Sequence, residues 1–164
     1  MDKPYTQKRA QEKTEQGAEK EHQTMTTTPD YVVVVQCDIV MERCSGYFCE
    51  KAFNERNGAF GAYAGTQQEL RSLYLTCGGC CGRAVLRKLS DLIRAIKKKE
   101  GIAKDRIVVH LASCITKDNF HGLPCPHIDY LKTLIQDKLG LALREDSHIS
   151  EKAEKRRQEG LYRD

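Results

Sequence analysis

The 164-residue chain has no tryptophan, only 4 prolines and 7% aromatic residues. It lacks the interleaving of aromatic and basic residues that single-strand nucleic-acid binders use. No apolar run approaches the length needed to cross a bilayer, so no membrane-spanning role is expected. The N-terminus lacks the apolar core of a secretory leader and carries acids as well as bases. The chain therefore reads as cytoplasmic. Neither sign of charge dominates: 27 Lys and Arg stand against 23 Asp and Glu, a net charge of +4. The cations that cluster (Arg83, Arg87, Lys88, Arg94, Lys97, Lys98 and Lys99) alternate with apolar positions, as on the solvated face of an amphipathic helix. Nucleic acid is not an expected partner.

What is present is concentrated in the middle. Residues 1–30 hold almost no large apolar side chain. Such a segment buries too little to offset its ordering entropy and reads as a disordered tail. Residues 150–164 form a charged tail or a frayed helix. Residues 31–149, roughly 120 in number, suffice for one packed domain.

"YVVVVQC", Tyr31 to Cys37, is a β-branched run without alternation, as in a strand covered on both faces. A first helix is expected over Cys44 to Glu55, with Tyr47, Phe48, Ala52 and Phe53 as its inner stripe. Asn57-Gly58 marks a turn. "LRSLYLTC" reads as a second strand ending at Cys77. Val85, Leu89, Leu92, Ile93 and Ile96 recur at helical spacing, with Gly101 as a stop. "RIVVHLASC" is a third strand ending at Cys114. A loop leads to Pro126 at the first position of a helix whose apolar face is Ile128, Leu131, Leu134, Ile135 and Leu139. "LALREDSH" contains a short fourth strand. This alternation predicts an α/β three-layer sandwich: a small open parallel sheet of the flavodoxin or Rossmann type, with helices on both faces.

The 8 cysteines then acquire a common location. Cys37, Cys77 and Cys114 close predicted strands, and the loops beyond carry Cys44, Cys49, Cys80, Cys81, His121, Cys125 and His127. In an open parallel sheet these positions share one edge, where ligands bind. Any single cysteine there serves equally as a small buried hydrophobe, Cys37 and Cys114 most readily. Their gathering beside glycines favours a site. In "LTCGGCCGRAVLRKL", Leu75 to Leu89, Gly78, Gly79 and Gly82 permit a sharp turn, and the following helix presents a partially positive N-terminus suited to thiolates. His110, inside a strand, reads as a core residue.

Three chemistries suit these thiols. The first is metal: Cys77-x2-Cys80 has thiolate-pair spacing, and the nearby Cys and His suit zinc, or an iron–sulfur cluster. The second is redox: the C-x-x-C of Cys77 and Cys80 at a helix N-terminus suits a dithiol/disulfide couple, and Cys80 and Cys81 suit attacking and resolving thiols for a third. The third is Cys77-x5-Arg83, the phosphate-loop pattern of Cys-dependent phosphatases and arsenate reductases. Cys77 would be its nucleophile and Arg83 its oxyanion holder, with Asp118 or Asp129 as acid. A non-catalytic interaction module is the remaining class.

"CGGC" (Cys77 to Cys80), "HLASCITKDNFHG" (His110 to Gly122), "PCPHIDYLK" (Pro124 to Lys132) and "RCSGYFCEKAF" (Arg43 to Phe53) together resemble the CGGC-domain family over about Tyr31 to His148. The resemblance implies a metal-binding domain, zinc being the usual suggestion, and no established reaction. On matching positions it implicates Cys37, Cys44, Cys49, Cys77, Cys80, Cys114, His121, Cys125 and His127. The chain departs from the family at Cys81, where a proline is usual, and at Asp146-Ser147-His148, where Gly-Thr-His is usual.

Overall fold

The computed structural model describes residues 28–117 and 123–161. Tyr31–Gln36 forms β1, buried along its whole length. A one-turn helix α1, Asp38–Met41, and then α2, Tyr47–Asn54, follow it. A 3-10 turn, Gly58–Tyr63, leads to β2, Arg71–Thr76. The long helix α3, Arg83–Glu100, ends at Gly101 with φ +71°, as its apolar spacing and stop residue predict. Then come β3, Ile107–Leu111, and the one-turn helix α4, Ser113–Thr116. Helix α5, Ile128–Lys132, runs on as a π-turn, Thr133–Lys138. Strand β4, Ala142–Glu145, and helix α6, Glu151–Gln158, complete the order; the Ser150 hydroxyl caps α6 by accepting from the Ala153 amide.

The four strands form one parallel sheet in the order β2-β1-β3-β4. Parallel strands need crossovers, and helices on both faces provide them. The pleat of β1 divides the core. Val33 and Val35 pack with Val85 and Leu89 of α3 and Leu131 of α5. Val32 and Val34 pack with Ala52 and Phe53 of α2 and with Phe60 and Tyr63. The predicted open parallel α/β sandwich is the observed fold. At the opposite edge, the Asp30 carboxylate accepts two bonds from the Arg106 guanidinium, at 2.9 and 2.8 Å. That pair draws Asp30, which composition alone assigns to the tail, onto the sheet.

Three local expectations are corrected. Helix α2 starts at Tyr47, not at Cys44, and Tyr47 and Phe48 are 56% and 60% exposed, not inner-facing. Gly46, at φ +75°, sets the start, and Phe48 stacks on His148 with ring centroids 5.4 Å apart instead of on the sheet. Strand β3 stops at Leu111, so Cys114 lies within α4. Pro126 lies in the turn before α5, which begins at Ile128.

His110 is a fully buried core residue on β3. Its Nδ1 lies 3.0 Å from the Asp146 carbonyl, which only accepts, so Nδ1 carries the hydrogen. Nε2 then accepts from the Tyr63 hydroxyl at 2.8 Å. Burial pushes the His110 pKa down to about 4. The folded chain thus keeps His110 neutral where the unfolded chain, near 6.5, takes a proton. Its stability contribution is complete above pH 6.5 and is lost as pH falls toward 4. Denaturant midpoints of the wild type should fall across that window by the equivalent of about 3 kcal/mol, and His110→Gln should flatten this part of the profile.

The turn joining β2 to α3 depends on Gly78. It holds φ +74°, and an added Cβ would lie 2.2 Å from the Ala84 Cβ. Gly79, at φ +93°, has open space around the same position. Gly78→Ala should cost about 3 kcal/mol, combining backbone strain with a steric clash, whereas Gly79→Ala should cost about 1 kcal/mol. Thermal unfolding of the two variants measures the difference.

Candidate functional site

The parallel register sets the cysteines side by side. Gln36 of β1 pairs with Thr76 of β2, so Cys37 and Cys77 leave the sheet together. The Cys77 amide donates to the Gln36 carbonyl at 2.8 Å. The Asp38 amide donates to the Cys77 sulfur at 3.3 Å, and the Cys37 amide to the Cys114 sulfur at 3.2 Å. Strand ends thus meet at the carboxyl edge through amide-to-sulfur bonds.

Beyond that edge lies a small cavity of about 30 Å³, bordered by Cys37, Cys77, Cys80, Cys125 and His127, with Ile39 and Leu131 among its apolar walls. Cys37 and Cys77 form its floor, 5% and 7% exposed. Cys80 is exposed and Cys125 half-buried. The loop carrying Cys125 is fixed by its amide, which donates to the Ile115 carbonyl at 2.8 Å. Burial pushes the Cys125 thiol up, opposed by the His127 amide; charge on Cys37, Cys77 or Cys80 would raise it further. His127 occupies the N-cap of α5 without a side-chain capping bond.

A second group of thiols stands beside Ser113 and Ser147. The Cys49 sulfur lies 3.3 Å from the Ser147 hydroxyl. Ser113 and Ser147 exchange amide-to-hydroxyl bonds at 3.2 and 3.0 Å, tying α4 to the segment after β4. Burial pushes the Cys114 thiol up to about 12, with Cys49, Cys37 and Cys44 as the neighbouring thiols and the Cys37 amide opposing. Cys44 is exposed.

The sequence-derived candidates therefore fall into two groups. Cys37, Cys77, Cys80, Cys125 and His127 border the cavity. Cys44, Cys49 and Cys114 do not border it; Cys114 packs against both core clusters and links to the first group through the Cys37 amide. Cys81 is exposed and Arg83 opens α3, also exposed; neither borders the cavity. Asp129 lies in the exposed first turn of α5. His121 and Asp118 lie outside the described residues. Among the described residues, no three His, Cys, Asp or Glu side chains are grouped for a common metal ion. The donor chemistry suits a soft cation.

Two features escape a sequence reading. The Ser113–Ser147 clasp joins residues 34 positions apart, and serines carry no periodic signal. The Asp38 amide that meets Cys77 is backbone, which residue types do not reveal.

An uncharacterized protein of Methanocaldococcus jannaschii is 29% identical over 104 residues, covering 60% of this chain and 70% of its own length. No solved structure matches. Among the described residues, no helix is long and apolar enough to cross a membrane. The model of the CGGC domain matches residues 31–148, the stretch that holds all 8 cysteines, and the chain belongs to the CGGC-domain family.

Proposed function

We propose that the chain binds a thiophilic metal ion at the cavity bordered by Cys37, Cys77, Cys80, Cys125 and His127. The observation carrying this reading is the convergence of these thiols and an imidazole, from the loops after β1, β2 and β3, on one cavity. Zinc comes first, because it accepts mixed cysteine and histidine donors. An iron–sulfur cluster comes second, since it prefers four cysteines and that number borders the cavity. Residues 31–149 are read as the functional unit, with Asp30 and helix α6 adjoining it. The cytoplasm, where thiols stay reduced, suits such a site.

A zinc ion supplies Lewis acidity wherever one coordination position stays open. The chain's own contributions are distinct. The Asp38 and Cys37 amides donate to the Cys77 and Cys114 sulfurs, and the bond from Cys37 opposes the upward push of burial on Cys114. The buried Leu131 forms an apolar wall of the cavity. Thiol-based redox chemistry ranks below metal binding, and the Cys-x5-Arg reaction ranks lower still, since Arg83 lies outside the cavity lining.

Protein purified without oxygen should contain near-stoichiometric zinc and show no visible absorption band. Iron with sulfide and visible absorption would select the cluster. Metal-free protein that takes up none after reduction would overturn the reading. Cys77→Ser should weaken binding by about tenfold or more. Loading should also release protons and weaken as pH falls, because the thiols, including the raised Cys125, must deprotonate to bind. Competition against a chelator at several pH values checks the sign.

A further inference from the structure

The thiols at the cavity are graded from solvent to core. Cys81 is exposed and stands outside the lining; Cys80 is exposed and inside it. Cys125 is half-buried, and Cys77 and Cys37 are buried. The outer two are consecutive residues on a turn whose glycines, Gly79 and Gly82, hold φ +93° and +61°. The open space around Gly79 leaves that turn uncrowded on the solvent side. A depth gradient of like ligands suits exchange, one thiolate replacing another.

We infer that Cys80 and Cys81 form a solvent-facing dithiol that captures a thiophilic cation and passes it to Cys77 and Cys125 in the cavity. This rests on the metal-binding reading above and adds a direction and a role to it: the chain is a carrier of soft cations. In capture, two sulfur–metal bonds form and two thiol protons leave to solvent. In transfer, Cys77 and Cys125 each lose a proton and bond the ion while Cys81 releases it and regains one, so one further proton leaves to solvent. No electrons move and no oxidant is needed. Cys80, which is exposed and also borders the cavity, stays bound through the exchange.

Full-length protein, reduced and metal-free, can be mixed rapidly with Cd2+, following thiolate–metal absorption, and then challenged with a chelator. Cys81→Ser should keep the wild-type stoichiometry while uptake and release each slow about tenfold. Cys77→Ser should instead lose affinity about tenfold or more and keep rapid capture. Phenylarsine oxide, which needs two neighbouring thiols, should bind wild type and Cys77→Ser, and lose tight binding in Cys81→Ser. Uptake by Cys81→Ser at the wild-type rate would overturn the transfer alone. A wild type that takes up no Cd2+ would overturn the metal reading itself. Circular dichroism of each variant confirms that it remains folded.

Discussion

The parallel pairing of β1 with β2 on one side and β3 on the other is the constraint from which the rest follows. In register, Gln36 faces Thr76 and Val35 faces Leu111. Every strand therefore ends at one edge, and cysteines dozens of residues apart become neighbours. The pairing also lies at the point where successive crossovers depart in opposite directions, from β1 toward β2 and from β2 over β1 to β3. Such a point opens a crevice in doubly wound sheets. The central strand must be buried on both faces to hold this geometry, and its uninterrupted valines meet that requirement.

Burial then differentiates thiols that composition treats alike. Removal from water disfavours a thiolate, and the raised Cys114 and Cys125 show the effect. Backbone amides aimed at sulfur act in the opposite sense. A cation that neutralises the thiolates relieves the same penalty, which is why thiols at this depth suit a metal better than a bare nucleophile. The serine clasp and the His110–Tyr63–Asp146 network stand on the other face and brace the segment after β4.

Much of the fold was legible because its signals are strong and local. The valine run of β1, the 3.6-residue spacing of α3 and Gly101 past its end each have a direct physical meaning. The convergence of Cys37 and Cys77 followed from topology alone. Helical spacing specifies a face and not what covers it, so it does not place Tyr47 and Phe48; the ring meeting Phe48 comes from His148, 100 residues onward. Cys114 was placed on a strand because "HLASC" continues a β-like pattern, while the backbone turns at Ala112 to start α4. The division of the thiols into two groups had no signal in spacing. The connections after β1 and after β3 each contribute to both groups, so strand order alone does not separate them.

Differential alkylation of zinc-loaded and metal-free protein, read cysteine by cysteine by mass spectrometry, is the most direct measurement. A metal held at the cavity predicts that Cys80 and Cys125 become protected on loading while Cys44 and Cys49 stay as reactive as before. Protection of Cys44 and Cys49, with Cys80 unaffected, would place the ion beside Ser147 and contradict the cavity site.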